Sequence, residues 1–130
     1  MIVLGQVHGA VVQGIGQALY EEFVYDDAGN PLTGDLLSYT MPSAVEIPPL
    51  EAHMTEHPSP NNPLGAKGIG ESGCIGAVPA IQNAVIDALR PLGIRHINLP
   101  LTPQRVWHAI RQAGIDLADG ETDHRNHRGQ

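Results

Sequence analysis

One stretch of this chain has the residue types and spacing for chemistry: Gly65-Ala66-Lys67-Gly68-Ile69-Gly70-Glu71-Ser72-Gly73. Four of its nine residues are glycine, so the backbone can turn sharply and approach a ligand closely, with no Cβ in the way. It carries one cation, Lys67, and one carboxylate, Glu71, and it runs straight into an apolar helical pattern. The start of a helix offers unbonded N–H groups and a partial positive charge, which suits an anionic group. A carboxylate held there on a pocket wall is a candidate general base. The competing reading is that Glu71 caps the helix and the glycines only make a turn.

Other chemistries fail on their own requirements. Gly68-x-Gly70-x-x-Gly73 spells the dinucleotide-binding motif, but that motif needs a buried strand before it and an acid about twenty residues on. The preceding His57-Pro58-Ser59-Pro60-Asn61-Asn62-Pro63 cannot be a central strand, and Asp87 comes too early. A phosphate-binding loop fails because Lys67 precedes the last glycines instead of following them. No serine or cysteine nucleophile stands in a recognisable arrangement with a histidine, and Cys74 reads as a small buried residue. His53 and His57 share a strand face, but no third ligand is visible nearby, so no metal site is assigned.

The positioning elements follow from periodicity. Val7, Ala10, Val11, Gly14, Ile15, Ala18 and Leu19 recur at helical spacing, which predicts a helix from Gln6 to about Phe23. Gly9, Gly14 and Gly16 inside it should each cost about 1 kcal/mol relative to Ala, unless another backbone or a flat ligand approaches closely there. Phe23 to Tyr25 reads as a short strand, residues 26–31 as a hairpin turn and Leu36 to Met41 as the return strand. Leu50 to His57 alternates loosely, as a strand would. Cys74 to Leu89 is apolar on nearly all sides, the mark of a helix buried in a larger protein. Pro79 fits best in a first turn, which predicts regular helix from near Ala77. Ile94 to Leu99 is expected to be a short connecting strand. Thr102-Pro103 starts a further helix and Gly114 stops it, with Val106, Ala109, Ile110 and Ala113 on one stripe. The fold class expected is therefore α/β (α+β).

Bulk properties bound the rest. The 130 residues suit one domain, and 42% apolar content is enough for a globular core. A formal charge of −7 argues against nucleic acid or an acidic membrane surface as partner. A single cysteine excludes an internal disulfide and a cysteine-based zinc site, and suits a reducing, cytoplasmic setting. The opening Met1-Ile2-Val3-Leu4-Gly5 has neither the basic start nor the long apolar run of a signal peptide or membrane span. Residues 116–130, with His124 and His127, are polar and aperiodic and are expected to be a disordered tail.

Two glycine-studded helix starts occur together: Gln6-Val7-His8-Gly9-Ala10-Val11-Val12-Gln13-Gly14-Ile15-Gly16 and the stretch ending Glu71-Ser72-Gly73. In order and spacing they resemble the molybdopterin-binding large subunit of the molybdenum hydroxylases, the xanthine dehydrogenase, aldehyde oxidase and aerobic carbon monoxide dehydrogenase family. The resemblance covers nearly all of residues 1–115, which would form the C-terminal part of the second molybdopterin-binding domain. The Glu-Ser-Gly ending is more similar to the carbon monoxide dehydrogenase branch than to the xanthine dehydrogenase branch, where Glu is usually followed by Pro-Pro.

The resemblance implies that Glu71 is the catalytic base and that Gln6 hydrogen-bonds near the metal, which no protein side chain ligates. Lys67 and the loop amides of Gly68, Ile69 and Gly70 would help hold the anionic cofactor, Lys67 being equally readable as a surface residue. Molybdopterin, as its cytosine dinucleotide, would be the cofactor. The partners implied are the remainder of the large subunit, a 2Fe-2S small subunit and an FAD-binding medium subunit. The expected activity is hydroxylation or dehydrogenation of aldehydes, N-heterocycles or carbon monoxide. The rival expectation is a non-catalytic remnant or assembly module that binds no cofactor by itself.

Overall fold

The computed structural model describes residues 2–114; the tail expected to be disordered, with His124 and His127, lies outside them. Three α-helices make up the architecture, α1 (Ile2–Leu19), α2 (Ser72–Leu89) and α3 (Pro103–Gln112), with a short 3-10 turn at Arg90–Leu92. No strand occurs among the described residues, and one isolated antiparallel bridge, Tyr25 with Pro31, is present. Among the described residues the regular structure is helical, so the expected helices are present while the sheet of the α/β expectation is not found there.

The first helix follows the apolar stripe, burying Ala10, Gly14, Ile15, Gly16 and Ala18, but it begins and ends earlier than the periodicity suggests. It packs chiefly on α2, and small residues decide how closely. A Cβ built on Gly14 would lie 2.6 Å from the Ala77 Cβ and 3.2 Å from the Cys74 carbonyl oxygen. A Cβ on Gly73 would lie 2.9 Å from the Val7 carbonyl oxygen and 3.0 Å from both the Ala10 Cβ and the Val11 nitrogen. The contacts advance in the same direction along both helices, so α2 begins on the turn of α1 that follows Gln6.

The second helix starts five residues before Ala77, with Pro79 inside it. An interior proline removes one backbone hydrogen bond and costs about 3 kcal/mol in isolation. Packing of the glycine-bearing first turn on α1 overrides that local preference. None of its residues is fully buried, and Ile75 is 73% exposed. The expected burial on all sides is therefore not achieved within this chain. By length and composition both long helices would suffice to cross a membrane. Each nevertheless commits one side to the other, and α1 carries Gln6, His8, Gln13 and Gln17.

The apolar core lies at the other end, where Ile94, Ile97 and Leu101 are buried against Leu19, Val85, Leu89 and Ile110. The segment 94–99 was expected as a strand; it is irregular, yet it delivers two of the core residues. The Leu101 amide donates to the Ala18 carbonyl at 2.7 Å, pinning it to the end of α1. The Arg105 guanidinium donates to the Leu99 carbonyl at 2.5 Å and pairs with Glu22, closing the same corner. Helix α3 forms as its sequence dictates. Thr102 sits in the extended region and accepts from the Arg105 amide, Pro103 is the first helical residue, and Gly114 follows at φ +79°.

Between α1 and α2 the backbone is held by local side-chain bonds instead of ladders. The 24–32 hairpin keeps two bridge bonds, Leu32 N to Val24 O at 2.7 Å and Asp26 N to Asn30 O at 2.9 Å. No return strand forms at 36–41, because the Asp35 carboxylate accepts from the amides of Leu37 and Ser38, both at 2.9 Å. Such a bond curls the chain into a turn and competes with pairing. The stretch 50–57 has no partner and is irregular.

Two outcomes are expected. In urea titrations Gly14→Ala destabilises by about 1–3 kcal/mol through overpacking, whereas Gly9→Ala, which meets nothing within 4 Å, stabilises by about 0.5–1 kcal/mol. The second concerns Asp26, whose carboxylate accepts from the Asn30 side chain and from the amides of Asn30 and Ala28. The Asn30 side chain is the main cause that lowers its pKa below 3.8. The charged form is thus favoured in the folded turn, whose stabilisation is complete above that ordinary value and lost as pH falls through the depressed one. The Ala28 and Asn30 amide resonances should hold their positions down to the ordinary value and move only below it.

Candidate active site

Glu71 occupies the N-cap position of α2 at φ −103°, ψ −5°, and its side chain makes no capping hydrogen bond. A capping side chain turns back onto the second or third helical amide from an extended backbone, and Glu71 does neither. Its carboxylate is exposed and uncommitted to the helix, so the capping reading is not what the geometry shows. The loop before it is equally open. Lys67, Gly68, Ile69 and Gly70 have no protein acceptor for their amides among the described residues, and the Lys67 ammonium has no ion pair there. A Cβ on Gly68 or Gly70 would meet nothing within 4 Å.

What shapes this loop lies behind it. Asn62 accepts from the Ala66 amide at 2.9 Å and donates to the Ala66 carbonyl at 3.0 Å, closing a small ring of backbone. Gly65, at φ +65°, lets the Ser59 amide reach its carbonyl at 3.0 Å, and a side chain there would strike Pro58. The proline-rich approach thus forms a base from which 67–71 projects, and Gly73 sets the far end down on α1.

Gln6 lies in the second turn of α1, exposed, immediately before the Val7–Val11 turn that receives Gly73. The two glycine-rich segments therefore meet at one end of the helix pair, with Gln6 and Glu71 both at that end. Lys67 is the only lysine or arginine in the first 89 residues, so the one cationic side chain of that stretch, histidines aside, belongs to the open loop. The chemistry available is proton transfer by a carboxylate and anion binding by amides and one ammonium.

Comparison with known proteins decides the family. Residues 1–48 match the molybdopterin cofactor-binding domain family. The 6-hydroxypseudooxynicotine dehydrogenase complex subunit gamma of Paenarthrobacter nicotinovorans is 48% identical over 88% of this chain and 14% of its own length. The carbon monoxide dehydrogenase large chain of Hydrogenophaga pseudoflava is 38% identical over 90% of this chain and 15% of its own. A crystal structure of the Cu,Mo-CO dehydrogenase superposes with a TM-score of 0.83 and 42% identity over 88% of this chain and 14% of that one.

The chain belongs to the molybdopterin-binding large-subunit family. It spans about one seventh of the length of the relatives it matches. The domain match includes Gln6 and stops before the glycine stretch, which falls within the aligned length of the longer relatives.

As a large-subunit segment, the chain also shows features that patterns of single residues do not reveal. Cys74 approaches the Gln17 side-chain oxygen at 3.6 Å, tying α2 to α1 just behind Glu71. The Tyr39 hydroxyl donates to Glu21 at 2.6 Å, and this bond raises its pKa above the ordinary 10.0. Partners separated by 57 and 18 residues carry no local signal. His53 is exposed beside Glu51 at 3.8 Å, and no group of three or more metal-ligating side chains stands together among the described residues.

A pair of substitutions checks the uncapped geometry. Thr102→Ala removes a real cap and should cost about 1 kcal/mol, whereas Glu71→Ala should change the stability of the chain by no more than about 0.5 kcal/mol, both read from denaturation midpoints. A loss at Glu71 as large as that at Thr102 would restore the capping role.

Proposed function

We propose that this segment forms one wall of the active site of a molybdopterin-dependent hydroxylase or dehydrogenase, with Glu71 as general base. The observation that carries this is a carboxylate at a helix start that does not cap its helix, two residues before a glycine that touches Val7, the neighbour of Gln6 in sequence. The residues present fit the cofactor. The amides of Lys67, Gly68, Ile69 and Gly70 lack protein acceptors, and glycines 68 and 70 leave room for an approaching group. Lys67 adds the only lysine or arginine charge of the first 89 residues.

Molybdopterin, when bound, supplies the redox centre that takes electrons from substrate. The protein's share is binding, orientation and proton handling. The loop amides and Lys67 hold anionic groups of the cofactor, in keeping with its cytosine dinucleotide form. The Gln6 side-chain amide donates a hydrogen bond toward the metal site. The Glu71 carboxylate accepts a proton as the substrate carbon is oxygenated, a task that needs it ionised beforehand.

Relatives named as a large chain and as a complex subunit support assembly with further polypeptides. We assign these as the remainder of the large subunit, a 2Fe-2S subunit and an FAD subunit, working in the cytoplasm. Carbon monoxide, N-heterocycles and aldehydes are the substrate classes, the first two in keeping with relatives that are a carbon monoxide dehydrogenase large chain and a nicotine 6-hydroxylase large subunit.

The test is co-expression of the chain with those subunits, measuring bound molybdenum and pterin and turnover of carbon monoxide, nicotine and quinoline with a dye acceptor. Glu71→Gln should retain both cofactor components and lower turnover by at least about 100-fold, the range removed with a general base. Unchanged turnover would take Glu71 out of the mechanism; absence of metal and pterin from the assembled complex would leave the non-catalytic assembly module.

A further inference from the structure

Resting on that reading, we propose that Gly73, seated on Ala10, is the positioning contact that sets Glu71 against Gln6. Three glycines of the stretch lie within five residues of Glu71, and only one of them is confined. Cβ atoms on Gly68 and Gly70 would meet nothing within 4 Å, while one on Gly73 would meet the Val7 carbonyl oxygen at 2.9 Å, the Ala10 Cβ at 3.0 Å and the Val11 nitrogen at 3.0 Å. Two of those three atoms are backbone of a continuous helix and cannot swing aside as a flexible side chain would. Ala10 is only 5% exposed, because the start of α2 covers it.

The contact has a direction as well as a distance. Gly73 stands two residues after Glu71, and Val7 stands one residue after Gln6. Each functional residue is thus at most two peptide units from the touching atoms. The fifty-two residues of chain between Leu19 and Ser72 hold no helix or strand, so that route cannot fix the separation. Close backbone packing, which is stiff to displacements of a few tenths of an ångström, sets it instead. Gly73 and Ala10 act through Glu71 and touch no reacting atom; theirs is a positioning role.

Two measurements test this. On the isotopically labelled chain, a nuclear Overhauser contact between the Gly73 α-protons and the Ala10 methyl is expected. Gly73→Ala should move the amide resonances of residues 6–11, while Gly76→Ala, which meets nothing within 4 Å, should leave them in place. In the assembled complex, Gly73→Ala should keep molybdenum and pterin and hold KM within about twofold, yet lower kcat at least about tenfold, part of the roughly 100-fold that a misplacement of a full 1 Å costs. Gly76→Ala should match the parent chain. Should Gly73→Ala fail to fold, Ala10→Gly opens the same contact from the other side, and a fall in kcat of about tenfold with cofactor retained is expected. Residue 6–11 amides that do not move, or a kcat equal to that of Gly76→Ala, overturns the positioning role. A Glu71→Gln chain that turns over normally overturns the base assignment instead, and leaves the resonance result standing.

Discussion

Everything in this chain depends on two helices coming closer than ordinary side chains allow. The contact is made by glycines facing backbone, Gly14 against the Cys74–Val78 turn and Gly73 against the Val7–Val11 turn. Glycine inside a helix costs about 1 kcal/mol, and α1 carries four of them. Two of the four, Gly5 and Gly9, meet nothing, so their cost is not offset within the chain. Gly5 and Gly9 lie in the first half of α1, on either side of Gln6. Glycines that serve packing and glycines that leave space are therefore separated along one helix, at the point where the site begins.

The distribution of burial follows from the same arrangement. The buried apolar residues divide between the α1 seam, with Ala10, Ile15 and Ala18, and the corner formed by Ile94, Ile97 and Leu101. Burying a Leu or Ile there is worth about 1.5–3 kcal/mol each. Leu37 at 98% exposure and Leu64 and Val45 at 91% gain nothing from the chain's own packing, nor does the outer side of α2. Large exposed apolar surface of this extent marks contact with other protein. It agrees with relatives in which the matched segment is about one seventh of a longer polypeptide, and with helices whose apolar sides are prepared for neighbours on more than one face.

The sequence made some of this legible and hid the rest for physical reasons. Thr102, Pro103 and Gly114 mark α3 because capping is local: each residue acts on amides or carbonyls within one turn. The apolar stripe of α1 was equally readable, since period 3.6 needs no partner to show itself. The strands expected at 36–41 and 50–57 failed for a local cause as well. Asp35 bonds its own following amides, and prolines 48, 49 and 58 flank the second stretch. The start of α2 was misjudged because Pro79 argued for a later beginning, and only the tertiary seat of Gly73 on α1 favours the earlier one. The candidate site was legible as two motifs; that they meet at one end of a helix pair depends on a contact spanning more than sixty residues, which no window of sequence displays.

The exposure of Glu71 carries the last consequence. A general base works best when solvent is excluded and its protonation is poised near the working pH, which requires walls around it. Here the carboxylate is exposed at the start of α2, whose Gly73 rests on the Val7–Val11 turn of α1. The uncapped helix start and the acceptor-free amides of 67–70 would be costly inside a finished interior, where polar groups must find partners. They cost little in water. Under the proposed function the same groups would become useful, the amides toward an anionic cofactor and the carboxylate once further protein excluded water from it. Bonding capacity thus faces outward at the start of α2, and on the proposed reading whatever completes the site would bring negative charge for the loop and apolar cover for the acid.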